Sequence, residues 1–154
     1  MSLSYWVIEG VGLCTEDIEP YINKKKLVEF MLEQLDSKDE EVISELKHMI
    51  ATEDFSEFDL INYLYGYPFE NLADILTHCD DSNSLTFGDD GDNGCSSHYL
   101  YYPPSMPWWI REEDPKSLDE VHNRIVAAVQ KITDMDAEDI LRLIDDNLFV
   151  VGCE

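Results

Sequence analysis

Two short apolar runs near opposite ends of the chain constrain the fold most. Residues 5–8 (YWVI) and 148–151 (LFVV) are continuous apolar stretches rich in β-branched and aromatic side chains, a pattern typical of strands buried on both faces. Strands at both ends predict that the two ends lie within one sheet. A chain of 154 residues buries enough surface for one core. We therefore predict a single domain over residues 4–153.

Helical patterns occupy most of the chain between these strands. Apolar residues recur at helical spacing over 24–35, 71–79 and 137–144, and capping boxes at 37–40 and 117–120 begin two further helices. Ser56 precedes a short predicted helix that ends at Gly66. Residues 85–87 and 98–102 flank a glycine-rich turn and predict a hairpin. The predicted fold is α+β, a small, mainly antiparallel sheet of about four strands (the N- and C-terminal strands and the central hairpin) packed with about five or six helices.

The charge of the chain restricts its partners. Its 34 acidic and 10 basic residues give a formal net charge of −24, and the 11 acidic residues between Lys47 and Arg111 have no lysine or arginine among them. Such a field repels phosphate backbones and anionic lipid, and it attracts basic protein surfaces. We therefore expect a basic protein surface as partner, with no direct nucleic-acid binding and no membrane partner.

Acidic residues within 53–92 are the candidate contacts to that partner, and we expect them to form one continuous negative face. Taken singly, each is also explained as a helix cap, a turn or solvated surface. Two tryptophans join the candidates because tryptophan is favoured at binding hot spots, although they equally suit a loop packed on the core. The candidate partner-binding residues are Glu53, Asp54, Glu57, Asp59, Asp80, Asp81, Asp89, Asp90, Asp92, Trp108 and Trp109.

Two patterns suggest metal sites, and each has a simpler explanation. Asp89, Asp90 and Asp92 offer oxygen ligands suited to Ca²⁺. However, the loop is shorter than an EF-hand loop and lacks its final glutamate, so a hairpin turn is the favoured role. Neighbouring helical residues point in different directions, which weakens a zinc site with adjacent histidine and cysteine ligands. We predict no cofactor, and keep as alternatives Ca²⁺ in the loop and Zn²⁺ at His78, Cys79, Cys95 and His98.

No sequence motif indicates catalysis. The chain has no G-x-S-x-G, Walker loop or H-E-x-x-H, and its four cysteines lack paired spacing, which favours free thiols and the cytoplasm. We predict a non-catalytic acidic binding protein that masks a basic surface of a partner, such as an inhibitor or immunity-type protein acting by nucleic-acid charge mimicry. One alternative is a small metal-dependent domain or enzyme using the Asp-rich hairpin and the His and Cys residues. Another is an acid-rich domain whose charge serves solvation only. The sequence leaves the partner's identity and the oligomeric state open.

Overall fold

The structure is a computed structural model that describes residues 4–35, 40–59, 69–91, 97–104 and 114–153. One antiparallel sheet contains four strands in the order β2-β3-β1-β4, which confirms the α+β class and the prediction that both terminal strands lie in one sheet. The strands are β1 (Tyr5–Cys14), β2 (Thr86–Asp89), β3 (His98–Tyr102) and β4 (Asp145–Cys153). The helices are α1 (Lys24–Gln34), α2 (Glu40–Thr52), α3 (Leu72–Cys79), α4 (Leu118–Gln130) and α5 (Ala137–Leu143), with 3₁₀ turns at Thr15–Asp17 and Glu19–Tyr21.

Local sequence explains where several helices begin. The side chains of Asn23, Asn71 and Ser117 accept hydrogen bonds from backbone N–H groups of the first turns of α1, α3 and α4, as N-cap residues do. The helix predicted to begin at Ser56 is absent from residues 56–59, and the rest of it lies outside the described residues. There the Asp54 carboxylate accepts a hydrogen bond from the Ser56 N–H at 3.0 Å, a local turn that competes with helix formation.

Strand β1 connects the two halves of the sheet: it pairs with β4 in one half and with β3, the partner of β2, in the other. Its first six residues pair with β4, from Tyr5 opposite Cys153 to Gly10 opposite Leu148, and its last four pair with β3, with Gly12 also opposite Asp145 of β4. The register with β4 shifts between Gly10 and Gly12, and an irregularity of this kind lets a strand bend. The first half then lies over β2, because the Trp6 indole N–H donates to the carbonyl of Asp89 at 2.7 Å. The two halves of the sheet thus face each other across a small apolar layer.

Within this layer the Trp6 indole packs directly against the backbone of Gly152. Ile8 and Leu148 are buried within it. At Gly152, directly opposite Trp6, an added Cβ would lie 2.2–2.7 Å from three atoms of the indole. Contacts that short are forbidden to real Cβ atoms, so the packing of Trp6 requires glycine at this position.

The other face of the sheet is only half covered. Leu13 and Leu100, opposite each other on β1 and β3, are buried in the main core formed with the helices, and α3 packs on β2 and β3. Toward the chain ends the same face is open, and Tyr5 and Phe149 are 68% and 62% exposed. The prediction that the terminal runs are buried on both faces is therefore wrong, because the helices cover only the β2–β3 side of the sheet. No helix in the described part of the chain is long and apolar enough to cross a membrane.

Candidate functional site

The first group of predicted binding residues lies where α2 ends. Glu53, Asp54, Glu57 and Asp59, here named the α2 acidic cluster, are all exposed. Glu53 has a positive φ of 52° and lies 3.8 Å from the ammonium group of Lys25 on α1. Hydrogen bonds from the side chain and backbone of Ser56 hold the pKa of Asp54 below its ordinary value. Asp54 is therefore charged at neutral pH, and all four carboxylates are presented to solvent.

A shallow groove runs beside this cluster. It has a volume of about 380 Å³ and is lined by Glu45, His48, Met49, Thr52, Asp54, Ser56 and Glu57. Three of the lining residues are acidic, and none is a lysine or an arginine. Met49 is 8% exposed and packs into the core, so the groove is formed on a packed helix. The carboxylates in this lining are able to accept hydrogen bonds from a cationic group.

The second predicted group, Asp80 and Asp81, divides into two different roles. Asp80 is 8% exposed, and its two carboxylate oxygens accept hydrogen bonds from the backbone N–H groups of Ser82, Ser84 and Leu85. Burial raises the pKa of Asp80, but the hydrogen bonds from Ser82, Leu85 and Ser84 outweigh it and leave the pKa below its ordinary value. Asp80 thus organises the loop after α3.

Asp81, by contrast, points outward. Its side chain is 87% exposed, and it forms an ion pair of 2.6 Å with Lys131, the residue that follows α4. The cation next to this acidic doublet therefore comes from a residue fifty positions later in the chain.

The third predicted group, Asp89 and Asp90, forms the start of the hairpin turn. Their carboxylates accept hydrogen bonds from the N–H groups of Gly91 and Ser97, at 2.8 and 3.1 Å. The carbonyl of Asp90 also accepts from the N–H of Cys153 at 3.2 Å. Both residues are half-buried, so they bind the turn to the rest of the sheet. Asp92, Trp108 and Trp109 lie outside the described residues.

The three groups belong to three separate connections: the loop after α2, the loop after α3 and the hairpin after β2. The first two groups contact lysines from other parts of the chain, Lys25 and Lys131. One continuous negative face over residues 53–92 stays a prediction. Of the described candidates, those in the α2 acidic cluster and Asp81 are exposed, and the others are partly or fully buried.

The two adjacent candidate zinc ligands, His78 and Cys79, point apart. His78 is exposed; its Nδ1 lies 2.9 Å from the carbonyl oxygen of Asp74, and its ring packs edge-on against Phe69. Cys79 faces the core at 1% exposure, and burial raises the pKa of its thiol to about 12, so it is not a thiolate at neutral pH. His98 lies on β3, and Cys95 is outside the described residues. Within the described ranges, no group of three or more His, Cys, Asp and Glu residues could hold a metal ion.

Sequence reasoning missed one surface, the outward side of the paired β1 and β4 strands. Val7 lies opposite Val151, and the residues on either side of this pair follow the same register. Alternation along each strand places the polar Glu9 on the same face as Tyr5 and Val7. This polar residue was the signal in the sequence that the face is exposed, but the continuous apolar run at residues 5–8 favoured burial on both faces. We call this the ribbon face; its members, all exposed, are Tyr5, Val7, Glu9, Phe149, Val151 and Cys153.

Similarity to known proteins offers no further guide to function. No protein-family model matches the chain, no curated protein matches it and no solved structure matches it.

Proposed function

We propose that this chain is a non-catalytic binding protein whose acidic surface masks a basic surface of another protein. In its most concrete form the protein is an inhibitor or immunity-type protein, and it occupies a groove that would otherwise bind the phosphates of a nucleic acid. Complementary charge speeds association and makes binding depend steeply on ionic strength.

One observation carries the proposal: the chain uses many of its few cations internally. Of the eight lysines and arginines in the described part of the chain, five lie within 4 Å of a carboxylate of the same chain; they are Lys25, Lys26, Arg124, Lys131 and Arg142. Each of these pairs neutralises one carboxylate, so the formal surplus of −24 remains among the other acids. Neutralising that surplus calls for positive charge from outside the chain.

The α2 acidic cluster is the best-supported contact region within the predicted set. Its four carboxylates are exposed, and two of them border the groove beside α2. A partner's lysine or arginine lying there would gain several weak attractions at once. Single exposed pairs contribute about 0–1 kcal/mol, so the region should act as a group rather than through one residue.

A capture experiment with charge-matched variants tests this proposal. Wild-type protein is immobilised and incubated with a cell lysate at low salt, and bound proteins are eluted with rising salt and identified by mass spectrometry. The cluster variant carries Glu53→Gln, Asp54→Asn, Glu57→Gln and Asp59→Asn. The control variant removes the same charge from exposed acids elsewhere, with Glu29→Gln, Asp119→Asn, Asp136→Asn and Glu138→Gln.

We expect the wild type and the control variant to retain the same basic proteins and to release them by about 0.5 M salt, where the screening length falls to about 4 Å. The cluster variant should retain them at least about tenfold less. Equal losses in the two variants would mean that total charge matters and the cluster does not, which favours a purely solvating role for the acids. Recovery of no basic protein from wild-type resin at any ionic strength would refute the proposed function.

A further inference from the structure

The ribbon face carries most of the strongly exposed apolar side chains in the described part of the chain. Of the seven large hydrophobic side chains there that are strongly exposed, four lie on it: Tyr5 at 68%, Val7 at 50%, Phe149 at 62% and Val151 at 56%. They are arranged as adjacent cross-strand neighbours, because Val7 pairs with Val151 and Tyr5 pairs with Cys153. Contiguous exposed apolar side chains of this kind mark interaction sites.

The ribbon face also borders an open sheet edge. β4 is the last strand in the order β2-β3-β1-β4; among the described residues no strand pairs with its far side, and the turn after β2 reaches that side at Cys153, through the carbonyl of Asp90. Natural edge strands are protected by lysine, proline or short length. β4 is nine residues long and contains neither lysine nor proline.

One hydrogen bond shows which backbone groups point to this edge. The N–H of Cys153 donates to the carbonyl of Asp90, so it is directed away from its partner Tyr5 on β1. In an antiparallel ladder the backbone groups of alternate residues point to opposite sides. The N–H and C=O groups of Val151 and Phe149 therefore point away from β1. These are the groups that an added strand would use.

Charge decides which kind of strand suits the edge. β1 and β4 contain no lysine, arginine or histidine, and they carry Glu9, Asp145 and Asp146. A second copy of this chain would bring another net charge of −24 against the first, and like charges across an interface are unfavourable. An extended segment with apolar residues at alternate positions and cationic ends complements both the apolar ribbon and its acidic surroundings.

We propose that β4 binds such a basic, extended segment of a partner protein by strand addition. The segment forms backbone hydrogen bonds with Phe149 and Val151, and its apolar side chains extend the ribbon face beside them. This mode of recognition takes affinity from the backbone and specificity from alternate side chains. The cationic character of the segment rests on the proposed function, whereas the strand addition rests on the open edge.

Three rhodamine-labelled nonapeptides test the proposal with the full chain, by fluorescence anisotropy. The probe is Lys-Lys-Val-Thr-Val-Thr-Val-Lys-Lys. A charge-matched peptide replaces its valines with serine, and an uncharged peptide replaces its lysines with glutamine. We expect the probe to bind at least about tenfold more tightly than either control peptide, a difference of about 1.4 kcal/mol.

Variants of one residue separate backbone pairing from side-chain contact. Val151→Pro removes the outward N–H, and proline is tolerated where an edge N–H faces solvent. Val151→Thr keeps that N–H and the β-branched shape. Val151→Pro should bind the probe no better than wild type binds the serine peptide, and Val151→Thr should lose less than about threefold. Leu141→Ser, at an exposed apolar position on α5, should bind as wild type does.

Hydrogen exchange of the wild type keeps the proposal testable even if Val151→Pro misfolds. Probe binding should slow exchange of the Phe149 and Val151 amides by about tenfold and leave Val150, which faces β1, unchanged. Unchanged exchange at Phe149 and Val151 would overturn strand addition.

The remaining outcomes separate the two proposals. Equal, salt-sensitive binding of the probe and the serine peptide overturns strand addition and leaves the proposed function intact. Equal binding of the probe and the glutamine peptide overturns the cationic occupant and counts against the proposed function at this surface. Sedimentation that finds a dimer in wild type, lost in Val151→Pro, assigns the edge to a second copy and overturns the proposal.

Discussion

Replacing Asp80 should destabilise the protein far more than replacing its neighbour Asp81. The Asp80 carboxylate is the common acceptor for three backbone N–H groups, at 3.1 Å from Ser82, 2.7 Å from Ser84 and 2.9 Å from Leu85. In Asp80→Ala these donors lose their acceptor. Leu85 is 6% exposed, so its N–H is poorly placed to find water, and an unsatisfied buried donor costs about 1–3 kcal/mol.

The other two donors are half-buried and recover part of their loss from water. We therefore expect Asp80→Ala to lower the free energy of unfolding by about 3 kcal/mol, equivalent to a fall of roughly 6–12 °C in Tm for a chain of this size. Asp80→Asn should cost about 2 kcal/mol. Both carboxylate oxygens accept backbone N–H groups, so an amide nitrogen at either position would face another donor.

Urea unfolding followed by circular dichroism measures these differences, with Asp81→Asn as the matched control. The Asp81 side chain is 87% exposed and its partner is Lys131, so its replacement should change stability by less than about 1 kcal/mol. If Asp80→Ala unfolds within about 0.5 kcal/mol of wild type, or if the two positions are equally sensitive, the loop does not depend on Asp80 and this reasoning fails.

The difference in stability between wild type and Asp80→Ala should also depend on pH. Burial raises the pKa of Asp80, and the hydrogen bonds from Ser82, Leu85 and Ser84 lower it further than burial raises it. Its folded pKa is thus below the ordinary aspartate value of about 3.9. The stability it contributes is present above that value and is lost as the pH falls through the folded pKa. The difference between wild type and Asp80→Ala should be constant from about pH 7 to 5 and narrow below about pH 4.

Three further predictions concern the packing and chemistry of single side chains. Gly152→Val places side-chain atoms within the Trp6 indole and should lower the free energy of unfolding by about 2–3 kcal/mol in urea; an unchanged midpoint would contradict the packing described for Trp6. Cys153 is exposed and Cys79 is buried, and burial raises the pKa of the Cys79 thiol to about 12, so peptide mapping should find Cys153 alkylated by iodoacetamide at pH 8 well before Cys79, with both reacting in denaturant. Lys26 donates at 3.5 Å to the carbonyl of Gln130, the last residue of α4, and at 2.8 Å to the carbonyl of Thr133 beyond it, and Lys26→Met should cost about 1 kcal/mol; urea unfolding without any loss would argue that these two bonds do not stabilise the end of α4.

The type and order of most elements were determined by the sequence alone, because they depend on local interactions. The cap residues Asn71 and Ser117 and the apolar spacing that follows them are sufficient to predict α3 and α4. The apolar run at 148–151 is sufficient to predict β4. The wrong prediction at Ser56 is also local in origin, since the Asp54 carboxylate accepts a hydrogen bond from the Ser56 N–H and this turn competes with helix formation.

Burial and charge balance were decided only by the tertiary structure. The sequence indicates a long acidic stretch without a single lysine or arginine, yet the fold brings Lys25 to Glu53 and Lys131 to Asp81. It also leaves Val151 exposed. The physical reason is the same in each case. Solvent exposure and ion pairing depend on which distant segments become neighbours, and nothing within a few residues of these positions specifies that neighbour.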